Sequence, residues 1–193
     1  CFHCYAEFIH ALLLESDAAV TSFVPQPFQI ELGNKKGWYI PDVYIVRDGR
    51  IQVLELKPDG NFDPQKTQRL QTFFSDYGMR FDVLANETVL EQETLALHWL
   101  PLVQVLAQAN AQGIETDVEE QRLYDCARDK TTLTIGDLLG DAPRCDRYWA
   151  ELALYRLLHR HDLHCDLSEA PLDYDGGQRM ELKWKERLVQ EPE

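Results

Sequence analysis

Long apolar runs and paired cysteines are both missing from this chain. No stretch reaches the length that spans a membrane, and nothing at the start has the pattern of a signal peptide. The five cysteines stand at positions 1, 4, 126, 145 and 165, an odd and scattered set. A membrane protein and a disulfide-stapled secreted domain are therefore not expected, and a reducing cytoplasmic compartment is favoured.

Two of these cysteines, Cys1 and Cys4, have the spacing of half a zinc site. A structural zinc ion normally takes four protein ligands, and no second Cys or His pair stands close by. Two ordinary thiols are therefore the simpler interpretation, and a zinc site is the alternative.

Basic residues are also scarce. Lysine and arginine together number 19 against 33 aspartates and glutamates, which gives a formal net charge of −14. A protein that binds DNA on its own usually neutralises several phosphates with a basic patch. If this chain acts on DNA, we expect partners to supply much of the affinity. Its 193 residues and 45% hydrophobic content suffice for a buried core in one large or two small domains.

The most informative stretch covers residues 38–57. Two β-rich runs, 39–46 and 50–57, flank the dipeptide Asp48-Gly49. A dipeptide of this kind between two β-branched runs is the strongest short signal for a tight hairpin turn. We therefore expect two antiparallel strands here.

Three charged residues interrupt these apolar runs. Asp42 lies on the first predicted strand, while Glu55 and Lys57 alternate on the second, so we expect all three to leave one face of the sheet. Two carboxylates supply the hard oxygen ligands that Mg²⁺ prefers, and a nearby ammonium group can offset charge on a phosphate or orient an attacking water. Such a set of groups suits the cleavage of phosphodiesters.

Pro41-Asp42, followed by a hairpin and then Glu55-Leu56-Lys57, resembles the motif of the PD-(D/E)xK nuclease superfamily. A proline, two acids and a lysine also recur by chance. The alternative interpretation of these residues alone is an exposed hairpin that carries solvated charges. The segments around the hairpin favour the nuclease.

The pattern of helices and strands supports an α/β fold of a particular kind. Start and stop signals at Asp63-Pro64 and Gly78 bound one of its helices. The predicted elements are a helix over 3–15, extended segments over 20–24, 27–32, 39–46 and 50–57, a helix over 64–77 and a strand over 79–85. We interpret the core order as helix, three strands, helix, strand, which is the restriction-endonuclease-like core.

Five segments make a narrower resemblance. They are Glu7-Phe-Ile-His-Ala-Leu-Leu-Leu-Glu15-Ser-Asp17, Val20-Thr-Ser-Phe23, Gln26-Pro27-Phe28-Gln-Ile30, Tyr39-Ile-Pro41-Asp42 and Glu55-Leu-Lys57-Pro58. Over about residues 4 to 85 the chain is similar to the N-terminal catalytic domain of TnsA, the endonuclease subunit of a heteromeric cut-and-paste transposase. One departure is Cys-Tyr-Ala before Glu7, where a serine-led turn is expected, and it leaves the cap of the first helix open.

The resemblance implies a Mg²⁺ site in which Mn²⁺ substitutes. Asp42 would bridge the metal ions, and Glu55 and the carbonyl group of Leu56 would complete the coordination. Glu7 would add a ligand or position a metal-bound water. The alternative is an exposed helix glutamate, and the metal site is favoured because an acid among apolar neighbours is costly unless it is paired or metal-bound. Lys57 would orient the nucleophilic water and offset charge in the in-line transition state.

The resemblance also implies partners and a setting. The protein would be bacterial and would cut the DNA strand at the 5′ ends of a transposon. A TnsB-like transposase would cut and join the 3′ ends, and a TnsC-like ATPase would regulate the reaction. The expected products carry a 5′-phosphate and a 3′-hydroxyl.

Six basic residues are candidate DNA contacts: Lys35, Lys36, Lys66, Arg69, Arg156 and Arg160. The first four lie on a predicted loop and on the helix over 64–77, where a solvated surface fits them equally well. The two remaining arginines are one turn apart on a later helix, with histidines close by. There the alternatives are a DNA or protein contact and a core helix, built on Trp149, Leu152, Tyr155 and Leu158, whose arginines are solvated.

A polar, acidic run over residues 113–120 predicts a domain boundary, with a nuclease domain over 1–112 and a smaller domain over 118–193. Before the boundary we expect helices over 87–98 and 101–111, the second opened by Pro101. After it we expect helices over 121–129, 132–139 (capped by Thr134) and 145–161, and strands over 163–167 and 178–182. Three helices and a two-stranded wing suggest a winged-helix domain. The TnsA family also has a C-terminal helical domain, which docks on TnsC and DNA.

Two other functions stay open. One is a nuclease of the same fold in a restriction or defence system, which would cut DNA without a partner. The other is a non-catalytic transposition adaptor, whose acidic surface and winged helix recruit an ATPase. The set Glu7, Asp42, Glu55 and Lys57 favours an enzyme, because four charged groups in apolar surroundings are costly at an idle site.

Overall fold

The computed structural model describes residues 4–31, 38–128, 133–140, 147–173 and 179–182. Over these residues the chain is a mixed α/β protein with seven helices, so the predicted α/β class is confirmed. The chain divides into two compact units, Cys1–Leu97 and His98–Glu193. The division falls inside a helix, and the domain boundary predicted over residues 113–120 stays a prediction.

The first unit contains helices and strands. Its elements are α1 (Tyr5–Glu15), β1 (Val20–Pro25), β2 (Ile30–Glu31), β3 (Trp38–Tyr39), β4 (Val43–Arg47), β5 (Arg50–Lys57), α2 (Pro64–Asp76), β6 (Arg80–Ala85), α3 (Asn86–Leu90) and the start of α4 (Glu93–Ala111).

A four-stranded mixed sheet, in the order β1-β4-β5-β6, forms the frame of this unit. β4 is antiparallel to both β1 and β5, and β6 lies parallel to β5 after the crossover through α2. Asp48 and Gly49 both have positive φ, 50° and 70°, as a tight hairpin turn of type I′ requires. The predicted hairpin is therefore confirmed, with Arg47 opposite Arg50.

One predicted strand is wrong. Residues 39–46 do not form a single strand, because β3 ends at Tyr39 and pairs with β2 in a separate two-stranded sheet, and β4 begins only at Val43. Pro41 explains the interruption, since it has no N–H to donate to a strand ladder and restricts the residue before it. Asp42 therefore lies at the entrance to β4 and not on the strand.

The helix α2 begins and ends close to its predicted bounds. Asp63 caps it by accepting hydrogen bonds from the backbone N–H groups two and three residues on. Of the four large apolar residues at helical spacing along it, Leu70 and Phe74 are buried, whereas Phe73 is half-buried and Tyr77 is 64% exposed. Tyr77 stays outside the core because it is the residue at which the helix ends.

The core beneath α2 is aromatic. The ring of Phe74 stacks on that of Phe81, with centroids 5.5 Å apart. The buried cluster consists of Tyr39, Val53, Leu70, Phe74 and Phe81. Because successive strand residues leave opposite faces, Glu55 and Lys57 share with Val53 the face that α2 covers.

The opposite face of the sheet packs toward α1. Leu14 of α1 lines a narrow cleft together with Val43 and Leu56. All three side chains are buried. Helices on both faces therefore bury β5 from Val53 to Leu56, and a charged residue on this strand enters a mostly apolar environment.

The proline predicted to open a helix lies inside one. Pro101 is within α4, which runs without a break from Glu93 to Ala111. Buried residues at positions 96, 99, 102, 106 and 109 keep helical spacing through the proline. We attribute the continuity to this apolar stripe, whose burial outweighs the lost hydrogen bond of an exposed proline.

The second unit contains the rest of α4, three further helices and a small sheet. Its other elements are α5 (Asp117–Arg128), β7 (Leu133–Thr134), α6 (Ile135–Leu139), α7 (Tyr148–His159), β8 (Leu163–Cys165) and β9 (Arg179–Leu182). Thr134 caps α6 as predicted, in a reciprocal capping box with Asp137. The expected two-stranded wing has a third strand, because β7 joins it in the antiparallel order β7-β9-β8.

The buried face of α7 differs from the expected one. Leu152 and Leu158 are buried, but Trp149 is 46% exposed and its ring lies against that of Tyr148. The buried face begins one residue later, at Ala150, so Trp149 stands beside it at the start of the helix. Helical spacing alone did not distinguish these two registers.

Two further observations concern membranes and thiols. No helix in the described part of the chain is long and apolar enough to cross a bilayer. Cys4, Cys126 and Cys165 are free thiols, and the other two cysteines lie outside the described residues. Burial, followed by the charge of Asp166, raises the pKa of Cys165 to about 11, so its thiol stays protonated at neutral pH.

Candidate active site

Asp42, Glu55 and Lys57 come together at one end of the four-stranded sheet. β4 is antiparallel to β5, with Val43 opposite Leu54, so the entrance to β4 lies beside the end of β5. An oxygen of the Asp42 carboxylate accepts a hydrogen bond of 2.6 Å from the backbone N–H of Leu56. The hairpin thus delivers an acid from each strand to the same place.

Glu55 is the buried centre of this group, with 6% of its surface exposed. Its Oε1 lies 2.7 Å from Nζ of Lys57. Its Oε2 accepts a hydrogen bond of 2.6 Å from the hydroxyl of Tyr39. A donor on each oxygen compensates the burial of the carboxylate and fixes its orientation.

Lys57 keeps its charge in this environment. Burial lowers the pKa of its ammonium group, but the hydrogen bond to Glu55 and the negative charges of Glu55, Asp42 and Glu7 outweigh burial, and the pKa is raised. The side chain is 37% exposed, so the ammonium group reaches the surface beside the buried carboxylate.

The surroundings of Asp42 disfavour its charged form. Burial raises the pKa of its carboxyl group, and the negative charges of Glu55 and Glu7 raise it further. The backbone N–H of Leu56 and the charge of Lys57 oppose this rise without cancelling it. The site therefore has more negative than positive charge around Asp42, and a bound cation would relieve the excess.

Glu7 approaches the same site from α1. It is half-buried in the first turn of that helix and lines a narrow cleft with Asp42 and Leu56. The helix has Cys4 as its N-terminal cap residue, with no hydrogen bond from that side chain. All four predicted catalytic residues thus lie around one end of the sheet.

Tyr39 is a member of the site that the sequence did not reveal. It is buried in the aromatic core, and its hydroxyl is the group that holds Glu55. Burial, followed by the hydrogen bond and charge of Glu55, raises the pKa of the phenol, so the hydroxyl remains a donor. In the sequence pattern Tyr39 and Tyr44 look alike, and only the folded structure separates them.

The donor atoms suit a hard divalent cation. Across the described residues there is no group of three or more His, Cys, Asp or Glu side chains arranged to hold a metal ion. Mg²⁺, however, usually takes only one or two protein carboxylates and keeps several of its waters. Asp42, Glu55 and the carbonyl group of Leu56 supply oxygen donors of that type, so the residues fit the predicted cation.

A larger cavity, of about 680 Å³, lies toward the other end of the sheet. Two arginines line it, and each is paired with an acid: Arg47 with Asp17 at 2.9 Å and Arg80 with Asp82 at 2.6 Å. His10 lies between this cavity and the cleft beside Asp42, and burial, followed by the charge of Arg47, lowers its pKa to about 4. The paired charges leave no excess of either sign there, so we place the active site at the other end.

The predicted DNA contacts of the first unit are only partly described. Lys35 and Lys36 lie outside the described residues. Lys66 and Arg69 are exposed on α2, and Nζ of Lys66 lies 4.9 Å from the centroid of the Tyr39 ring. Lys66 therefore stands beside the candidate active site, where it lines a small cavity together with Glu55 and Lys57. Arg69 does not line that cavity.

The arginines of α7 have partners within the protein. Arg156 donates to the hydroxyl of Thr116 at 2.6 Å and also to the carbonyl group of Ile114. Nη2 of Arg160 lies 2.6 Å from Oε2 of Glu120, which is buried. Contact with DNA stays a prediction for both arginines. The alternative, in which both arginines are simply solvated, does not hold, because both have partners within the protein.

Glu120 shows how strong this network is. Burial raises the pKa of its carboxyl group, but hydrogen bonds from Thr116 and Arg160 and the charges of both arginines outweigh it and hold the pKa below its usual value. The carboxylate is therefore charged and well compensated at neutral pH.

No protein-family model matches this chain, and no curated protein matches its sequence. The comparisons therefore show no family for it, and its function has to be argued from the site.

Proposed function

We propose that this protein is a Mg²⁺-dependent DNA endonuclease of the TnsA type. The observation that carries the proposal is the arrangement at the end of the sheet, where the buried Glu55 is held between Lys57 and Tyr39 beside Asp42. A carboxylate with a perturbed pKa, here Asp42, beside a charged lysine is typical of catalytic sites. The acids and the lysine are also those that the PD-(D/E)xK resemblance selects.

Each residue has a distinct part in phosphodiester hydrolysis. Asp42, Glu55 and the carbonyl group of Leu56 would hold the metal, which when bound acts as a Lewis acid toward the phosphate and its attacking water. Glu7 would add a ligand or position a water. Lys57, charged and partly exposed, would orient the attacking water and offset the charge that develops on the phosphate oxygens.

The arrangement of elements supports the finer fold assignment. A helix, the antiparallel strands β1, β4 and β5, a crossover helix and the parallel strand β6 follow the order of a restriction-endonuclease-like core. In the second unit, three helices and a small antiparallel sheet are the elements of a winged-helix domain. We assign both folds on that basis.

The proposal includes partners. A net charge of −14 disfavours tight DNA binding by the chain alone. We propose that the protein works in the bacterial cytoplasm with a TnsB-like transposase and a TnsC-like ATPase, and cuts the 5′ ends of a transposon. A restriction or defence nuclease of the same fold would instead cut DNA unaided.

Metal binding is the first test. In a calorimetric titration with Mn²⁺ or Mg²⁺, the wild-type protein should bind the cation. Asp42→Ala should lose most of that binding, because the variant lacks the carboxylate whose pKa burial and the neighbouring negative charges raise. Asp76→Ala is the control, since this exposed acid at the end of α2 is outside the site. A nicking assay with and without the companion transposase then separates the two kinds of nuclease.

Each outcome has a defined meaning. Metal binding that depends on Asp42, with cleavage only beside the companion, supports the split-transposase role. Cleavage by the protein alone would move the assignment to a free-standing nuclease. Metal binding that survives in Asp42→Ala would show that the site is elsewhere.

Tyr39→Phe tests whether the hydroxyl on Glu55 belongs to the site. The substitution removes one oxygen and leaves the ring in the aromatic core, so the protein should fold normally. Outer-shell partners of metal ligands are worth about 10- to 100-fold in metal affinity or activity, and we expect a loss in that range. Tyr44→Phe is the matched control on the neighbouring strand, and equal losses in both variants would contradict a specific role for Tyr39.

A non-catalytic adaptor is the second candidate. Two observations favour it: no group of three metal-binding side chains occurs among the described residues, and both described arginines of α7 that were candidate DNA contacts are engaged within the protein. Such an adaptor would bind neither Mn²⁺ nor Mg²⁺, so the titration above decides between the two candidates.

A further inference from the structure

A second cavity, of about 160 Å³, opens directly beside the candidate active site. Glu55 and Lys57 form one wall, and the loop between β5 and α2 forms another. Its floor is apolar, since Leu70 and Phe81 are buried core residues. A molecule in this cavity would therefore touch both the catalytic groups and an apolar surface.

The mouth of the cavity carries groups that the hydrolytic reaction does not use. Phe62 lies in the loop and is 39% exposed, although its side chain is entirely apolar. Asn61, next to it, and Lys66, on the first turns of α2, are exposed and also line the cavity. An aromatic ring, an amide and an ammonium group are thus arranged around an apolar floor.

The carboxylate of Asp63, on the loop side of the cavity, opposes a negatively charged ligand only weakly. Asp63 also lines the cavity, but it caps α2, and one of its oxygens accepts hydrogen bonds from Gln65 N at 3.0 Å and Lys66 N at 3.1 Å. The first turn of a helix and these N–H groups offset the negative charge of a capping carboxylate.

We propose that this cavity takes one unstacked nucleotide of the strand that is cut. The base lies against Phe62, its edge is hydrogen-bonded by Asn61, and the neighbouring phosphate lies beside Lys66. Bases stack readily on exposed aromatic side chains, and enzymes that extrude a base favour sites where unstacking is easy. The inference rests on the proposed nuclease function, because the cavity shares Glu55 and Lys57 with that site.

The consequence is a preference in the substrate. DNA with a mismatch or an unpaired nucleotide next to the cut should be cleaved faster than fully paired DNA, because less unstacking is needed. The preference should depend on Phe62 and should be absent from Phe62→Ala. A nuclease that acts on undistorted duplex would show no such preference.

The test uses the full chain and DNA that carries the fluorescent base analogue 2-aminopurine next to the cut. Binding is measured in an Asp42→Ala background, which removes a metal ligand but no wall of this cavity. The fluorescence should rise as the base unstacks, and Phe62→Ala should weaken binding about tenfold, as expected for one lost stacking contact. Phe62→Tyr should retain the wild-type affinity. Tyr77→Ala, which removes a more exposed aromatic ring at the C-terminal end of α2, should have no effect.

The failure of this inference and that of the proposed function give different results. If the wild-type protein cuts DNA in a manner that depends on Lys57, but Phe62→Ala binds DNA as tightly as the wild-type protein and has the same ratio of mismatched to matched cleavage, only the nucleotide pocket is wrong. If the wild-type protein cuts no DNA, with or without the companion transposase, the nuclease proposal is overturned and the pocket with it.

Discussion

Replacing Lys57 with alanine is expected to abolish strand cleavage while the protein remains folded. The ammonium group lies among the carboxylates of Asp42, Glu55 and Glu7, and it keeps its proton in the folded protein. Removing one preorganised charge of this kind typically costs 10²- to 10³-fold in rate, so a loss of at least about 100-fold is expected. The rate of nicking under saturating Mg²⁺ measures it.

Matched variants separate catalysis from folding. Lys57→Arg keeps the charge but not the compact ammonium geometry, and it should recover only part of the rate. Arg50→Ala removes an exposed cation at the hairpin turn, at the other end of β5, and should cut DNA at close to the wild-type rate. Far-ultraviolet circular dichroism should be the same for all three. Undiminished cleavage by a folded Lys57→Ala protein would disprove the catalytic assignment.

The sequence predicted those parts of the site that depend on local signals. The Asp48-Gly49 turn fixes the hairpin, and strict alternation along β5 places Glu55 and Lys57 on one face. The start of α2 was equally predictable, because Asp63 as the N-terminal cap and Pro64 as the first helical residue form a local signal. Each of these features is determined by residues within a few positions of one another.

The features that were missed depend on contacts between distant residues. Tyr39 belongs to β3, in a separate two-stranded sheet, and its hydroxyl meets Glu55 of the main sheet only in the folded chain. The sequence predicts a helix start at Pro101 because the cost of a proline is local, whereas the apolar burial that keeps α4 continuous involves distant residues. A periodic pattern shows which face is apolar but not which polar atom on it finds a partner.

The arginines of α7 show the same limitation and lead to the second large effect. Replacing Arg156 with alanine is expected to destabilise the second unit by about 3 kcal/mol, because breaking a buried charged network typically costs 3–5 kcal/mol. The Arg156 side chain is only 17% exposed, and Nη1 lies 3.7 Å from Oε1 of the buried Glu120. It also donates to Thr116, to the carbonyl group of Ile114 and to the side-chain oxygen of Asn110, so three acceptors lose a donor at once.

Native-state hydrogen exchange is the suitable measurement, since two compact units need not unfold in one step. Amides of α5 and α7 should lose about 100-fold in protection in Arg156→Ala, which corresponds to about 3 kcal/mol. Arg156→Lys should restore little, because a single ammonium group cannot reach the same three acceptors. Arg122→Ala, which removes an exposed arginine of α5, should leave protection unchanged.

The Arg156→Ala variant also distinguishes a structural role of Arg156 from a DNA contact. If Arg156 were principally a DNA contact, Arg156→Ala would keep its hydrogen-exchange protection and lose DNA affinity, with a smaller dependence of that affinity on salt. The network around Glu120 argues for the reverse, since the Arg156 guanidinium cannot leave for a phosphate without depriving Thr116 and the carbonyl group of Ile114 of a donor and losing its ion pair with Glu120. We therefore expect stability to fall first, and any DNA contact by α7 to be made by other residues of the helix.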